Sequence, residues 1–301
     1  PGVDQVVAAL GTDRLTGVEE LVFDEGTVRV SDLFPVAGGC VGSGGSETLT
    51  GGEDAETLIA GGGDDRAVGG GGNDTLDGGS GHDTLIGGEG NDVLLGGSGN
   101  DTLNGGNGDD EIVGGSSDDD RRDVVYAGAG HDNIDVGYGN DLVYGQDGND
   151  TITGGFGADD LQGQNGNDVI NGGALSDLIY GGAGDDFLNG GFGYDRVNGG
   201  SGADRFFHLG VFDHGSDWIQ DYEASEGDVL VFGNSSASAD DFRINLGHTE
   251  NAFGERSGED DVAEAFVIYR PTGQIIWALV DGEGQDEINI RLGGEVFDLL
   301  A

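Results

Sequence analysis

Between residues 42 and 207 an apolar residue returns to the eighth place of every row when the chain is laid out in nines, from Leu49, Leu58, Ala67 and Leu76 through to Leu188, Val197 and Phe206. Eighteen rows fit, and one of them, 114–126, is enlarged to thirteen residues. A column of this kind predicts a stacked, repetitive core. Two places ahead of it stands an acid in every row: Glu47 and Glu56, then Asp65, Asp74, Asp83, Asp92, Asp101, Asp110, Asp123, Asp132, Asp141, Asp150, Asp159, Asp168, Asp177, Asp186, Asp195 and Asp204. Gly holds the fourth place in fifteen rows and yields only at Asp54, Ser117 and Leu175. That fits a turn whose backbone enters conformations costly for any residue with a Cβ. After Phe207 the phase changes. Apolar runs at 242–246, 265–269, 274–280, 288–292 and 296–300 predict strands, and Pro271 and Gly273 mark a turn at 270–273. Ahead of the rows, 20–23 and 27–30 predict a hairpin about Asp24, Glu25 and Gly26, followed by a linker at 35–41.

Rows such as GGGGNDTLD from Gly69, GGSGHDTLI from Gly78, GGEGNDVLL from Gly87 and GGSGNDTLN from Gly96 follow G-G-x-G-x-D-x-U-x, with U apolar. In this the chain resembles the RTX (repeats-in-toxin) family of calcium-binding nonapeptide repeats. The resemblance implies an all-β fold, a parallel β-roll with an N-terminal β-hairpin cap and a C-terminal β-sandwich-like capping domain. In such a roll the first six residues of a row turn, the last three form a strand with U inward, and two rows complete a coil. The implied division is 1–41 for an N-terminal cap or the end of a preceding module with its linker, 42–207 for the roll, and 208–301 for capping and secretion signal. Calcium would lie between turns of neighbouring coils, with the sixth-place Asp residues from Asp65 to Asp204 as side-chain ligands and turn carbonyls completing the shell. Glu47, Glu56, Asp54 and Leu175 depart from the motif, so their turns are expected to differ. The insertion 118–122 reads as a charged surface loop that interrupts one calcium column while Val125 keeps its core place. Residues 15–28, LTGVEELVFDEGTV, resemble segments found beside such blocks, and 215–232 resemble the segment that closes them. The latter match sets Asp217, Asp221 and Asp228 on motif positions and implies that Asp217 and Asp221 complete a terminal calcium site.

Charge determines what the acid columns need. The chain carries 59 Asp and Glu against 11 Arg, no Lys, and a formal charge of -48, which argues against nucleic acid or an anionic membrane as partner. Acids two rows apart would stack one strand spacing apart, roughly 4.8 Å, and at an effective dielectric of 20 each such pair repels by about 3.5 kcal/mol. A divalent cation reverses the sign. Ca²⁺ takes six to eight oxygen ligands, and Gly-rich turns can aim carbonyls inward without obstruction. A merely solvated acidic face needs no fixed phase to a core column. The 66 Gly would otherwise signal disorder. Lone Cys40 forms no internal bridge and reads as an inert thiol. No run of about 18 apolar residues predicts a spanning helix, and Pro1 reads as a boundary within a longer protein.

These readings converge on a calcium-binding roll that is not itself an enzyme, since no H-E-x-x-H, G-x-S-x-G or Cys-pair metal motif occurs. His82 and His131 sit at turn position five, while His208, His214 and His248 are scattered beyond the rows. The last residues, 295–301, resemble uncleaved C-terminal signals of type I secretion. This implies an extracellular or cell-surface protein of a Gram-negative bacterium, with the secretion machinery as a transient partner. Alternatives are the tail of a secreted protease or polysaccharide-modifying enzyme, or a surface-layer or adhesive protein that self-assembles through shared calcium. An ice-binding role predicts a uniform outward Thr ladder, and position seven instead runs Thr75, Thr84, Val93, Thr102, Glu111, Val124.

Overall fold

A computed structural model describes residues 26–29, 40–42, 44–115, 117, 121–211, 214–247, 263–280 and 285–301. Each repeat forms a strand longer than the three residues the motif implies. Thr75–Ser80, Thr84–Glu89 and Val93–Ser98 span places seven to nine of one row and one to three of the next. Within them places eight and one face inward, which puts an apolar side chain and a glycine side by side in the interior. The chain reverses direction around places two and four, where Gly79 and Gly81 have φ of 94° and 133°. Leu175, the exception at place four, keeps the turn at φ 91°.

Alternate strands stack into two parallel sheets. Thr84–Glu89 lies between Arg66–Gly71 and Thr102–Asn107, with Leu85 opposite Ala67 and Leu103. On the other face Thr75–Ser80 lies between Thr57–Gly62 and Val93–Ser98. The eighth-place column from Leu49 to Phe206 is buried throughout. The protein is thus an all-β parallel roll. The insertion does not disturb the stack, because Val124–Ala129 pairs with Thr102–Asn107 in the same register and Val125 is fully buried. Asp118, Asp119 and Asp120 of that loop lie outside the described residues.

At the N-terminal end Gly26–Arg29 pairs in parallel with Glu47–Thr50. The hairpin partner expected at 20–23 lies outside the described residues. Cys40–Val41, at the end of the expected linker, is a short strand parallel to Leu58–Ile59. At the C-terminal end both sheets run on. Asp217–Ile219 pairs in parallel with Gln274–Leu279, and Val229–Phe232 with Asn289–Leu292. Antiparallel strands then close each edge, Glu264–Tyr269 and Phe242–Gly247 on one sheet and Glu295–Asp298 on the other. Their core is aromatic, with Phe232 packed on Phe242, Tyr269 and Trp277.

Candidate metal centre

Sixth-place aspartates are buried although carboxylates normally are not. Their position follows from the turn: the side chain folds back under its own row, where the first-place glycine leaves room. In one column the backbone N–H of Asp65 donates to Asp83 Oδ1 at 2.8 Å and that of Asp83 to Asp101 Oδ1 at 2.8 Å. In the opposite column Asp74 donates to Asp92 and Asp92 to Asp110, at 2.7 and 2.8 Å. The relay crosses the enlarged row intact, from Asp101 to Asp123 and from Asp110 to Asp132 at 2.8 Å each. The expected interruption of one column is therefore not seen in the acids themselves.

In most of these carboxylates only one oxygen is satisfied in this way. Oδ2 is buried without a hydrogen-bond partner in Asp65, Asp74, Asp83, Asp92, Asp110, Asp132, Asp150, Asp159, Asp168, Asp177, Asp186, Asp195 and Asp204. A buried, unpaired anionic oxygen costs several kcal/mol unless something compensates it. Around it the neighbouring groups are also acceptors. Asp83 Oδ2 and the Gly96 carbonyl oxygen each lie 2.6 Å from the point a Cβ on Gly78 would occupy. The same convergence recurs at Gly154, with Gly172 O at 2.5 Å and Asp159 Oδ2 at 2.6 Å. Two hard oxygens thus face a space that a side chain would fill, a donor set suited to Ca²⁺. Among the described residues no group of three His, Cys, Asp or Glu side chains converges, so the remaining oxygens of any shell would be backbone carbonyls.

Electrostatics carry the same signature. Burial raises the pKa of Asp65, Asp74 and Asp83 to about 6, with neighbouring carboxylates adding to the shift. At Asp110, Asp177 and Asp186 burial raises it to about 7. Carboxylates stacked this way favour either a proton or a cation.

Against this geometry we compared the chain with known protein families. The model for the RTX calcium-binding nonapeptide repeat matches it in overlapping segments from residue 41 to residue 206. The chain belongs to that family. A comparison with curated proteins finds no match. As an RTX repeat protein it carries a calcium-binding module for multiple Ca²⁺ ions, and no helix among the described residues is long and apolar enough to cross a membrane.

The closing segment of the RTX roll departs from the sequence expectation. Asp217 is buried and extends one column beyond Asp195, whose backbone N–H it accepts. The opposite column is extended by Asp228, with Asp204 N–H donating to its Oδ1 at 2.9 Å and Glu223 N–H to its Oδ2 at 2.8 Å. Asp221 stands outside both columns and caps the backbone N–H groups of Gly199 and Gly200. The signal for Asp228 is the triplet Asp228-Val229-Leu230, which repeats the D-x-U of Asp217-Trp218-Ile219 out of the nine-residue phase. Glu56 stands at the start of its column among the described residues: its backbone N–H donates to Asp74 Oδ1 at 2.8 Å, while its own carboxylate accepts from Gly52 N–H in the same turn at 3.1 Å. Asp177 keeps its place despite Leu175, accepting from Asp159 at 3.0 Å.

A second ladder runs outside the first and was not anticipated. Fifth-place side chains accept from the fifth-place N–H of the next coil, as in Asn91 to Asn73 at 3.0 Å and His131 to Asp109 at 2.8 Å. His82 and His131 join it through Nδ1, accepting from Asn100 and Asn149 at 2.9 Å.

Proposed function

We propose that this roll is a calcium-triggered folding switch that acts outside the cell and supports type I secretion of a larger extracellular protein. The carrying observation is the set of buried Oδ2 atoms with no hydrogen-bond partner. Ligands in this reading are the aspartates from Asp65 to Asp204, with Asp217 and Asp228 ending the two columns and first-place carbonyls such as that of Gly96 contributing. Ala60, Ala127 and Val136 replace the first-place glycine, so binding beside Asp65, Asp132 and Asp141 draws on other oxygens.

Extracellular calcium modules bind at roughly 10⁻⁴ to 10⁻³ M. Sites of that strength stay vacant in a calcium-poor cytosol, and the chain remains exportable. Outside, binding to the folded form alone pulls the equilibrium toward the roll. Circular dichroism tests this: coil in chelator, with β-structure appearing as Ca²⁺ reaches the millimolar range and Mg²⁺ not substituting. An unchanged β spectrum in chelator defeats the reading.

A further inference from the structure

One edge of the roll carries side chains that neither the fold nor calcium requires. The third-place residues there stack in register: Tyr138 opposite Phe156, Phe156 opposite Ala174, and Ala174 opposite Phe192, with His214 following. Tyr138 and Phe156 stack at 4.9 Å with 19° between planes, and Phe192 meets His214 at 4.4 Å. Ala174 is the rung without a ring. Its neighbours in the column are two strand spacings apart, roughly 9.6 Å, about twice the separation of a stacked ring pair. On the opposite edge the same place holds polar residues such as Glu89, Asn107, Asp147 and Asn165, so stacking aromatics are not a demand of the coil.

Several side chains along this edge are also unusually open. Phe156, Phe192, Tyr194 and Leu175 are 57, 54, 70 and 63 % exposed, and an apolar strip of this kind on a highly charged protein marks a binding surface. Beside Ala174 opens a cleft of about 710 Å³, shared between the roll and the turn at Thr272–Gln274. None of its twelve lining residues carries a formal charge. Two of its polar groups stand out. Gln274 donates its amide to Gly215 O at 3.0 Å, which orients the side chain, and Nδ1 of buried His214 has no hydrogen-bond partner. Burial lowers the His214 pKa and keeps the ring neutral.

We propose that this edge binds a neutral oligosaccharide, with one sugar ring seated at Ala174 and the next ones on Phe192 and Tyr194 toward Gln274. The chemistry selects the ligand. A chain of charge -48 repels anionic ligands, while the cleft offers a cation no carboxylate among its lining residues. Pyranose rings present a flat C–H face to an aromatic plane and hydroxyls at the rim to amide and imidazole groups, the mix of apolar wall and few polar contacts typical of a ligand cleft.

The test uses the full chain in millimolar Ca²⁺ and isothermal titration with neutral glucose hexasaccharides of β-1,4, β-1,3 and α-1,4 linkage, with a hexauronate as the anionic probe. At least one neutral hexasaccharide should bind and the hexauronate should not. Ala174→Phe, which fills the missing rung, should weaken that binding at least tenfold while calcium-induced folding is unchanged. Tyr194→Ala, an exposed change, should cost about tenfold and carries the test if Ala174→Phe fails to fold. Absence of binding to all three neutral probes, equal binding of the hexauronate, or indifference to both substitutions overturns the proposal.

Discussion

The roll and the cap are continuous stretches of the same two sheets, yet they are held by different means. In most strands of the roll one apolar side chain is buried beside a glycine, and the space under the turn is filled by a carboxylate that in thirteen rows has one unsatisfied oxygen. In the cap those interior places turn apolar. Trp277 stands opposite Asp217, and Ile288 stands two residues before Ile290, the partner of Leu230, as Asp228 stands two before Leu230 itself. Both replacements are fully buried. Parallel stacking therefore does not require acid columns. The acids make the roll's stability conditional on an ion, while the cap is packed by direct burial of aromatic surface.

Chelation should separate the two regions most sharply. Hydrogen exchange in chelator is expected to show loss of protection across the strands from Thr57–Gly62 to Arg196–Ser201, with slower loss in Glu264–Tyr269 and Gln274–Leu279. Equal loss in both would mean that the cap has no independent core. Acidity should act next, and in the opposite direction. Burial raises the folded pKa of column members such as Asp65, Asp110 and Asp186 to about 6 to 7, above the ordinary 3.8, so the ion-free roll binds more protons than the unfolded chain. Its stability is greatest below about pH 4 and falls as pH rises through 6 to 7. Residual β-structure in chelator should follow that curve by circular dichroism, and calcium should flatten it.

Single substitutions sharpen the contrast further. Trp277→Ala is expected to cost about 3–5 kcal/mol of cap stability, seen as early loss of cap protection at saturating calcium. Asp92→Ala removes the acceptor for Asp74 N–H and a proposed ligand. About 1–3 kcal/mol is expected, read as a higher calcium midpoint. Asp77→Ala, at a half-buried ninth place, should stay within about 0.5 kcal/mol, and equal effects of the two would undo the column assignment. The smallest change is His82→Asn, which keeps the fifth-place acceptor and should be nearly neutral, against about 1 kcal/mol for His82→Ala in the same titration.

How much of this was legible depended on phase. The D-x-U columns from Asp65 to Asp204 could be read from the sequence because core and acid share one period. Asp228 stands on a motif position beside Asp217 and Asp221, but the rows lose their nine-residue spacing after Phe207, so the sequence alone does not say which of these acids continues the column. The length of the strands was hidden because glycine at place one looks like a turn residue, whereas it lies inside the sheet and makes room for an aspartate. Fifth-place Asn, Asp and His read as ordinary turn residues, since an acceptor ladder on the outside leaves no apolar trace. The cap's strands were visible as apolar runs, but nothing local to them says that two would join the roll in parallel.

The amide-to-carboxylate relay has one further consequence. Every link points the same way, with the donor on the earlier coil and the acceptor on the later one, so the stack has a grain. A cut at the N-terminal side leaves bare carboxylate oxygens, which solvent or an ion can satisfy. A cut ahead of Asp217 and Asp228 strips the amides of Asp195 and Asp204 of their acceptors and leaves no template for the next rung. Assembly along this grain would zip backward, from the last-synthesised residues toward the first.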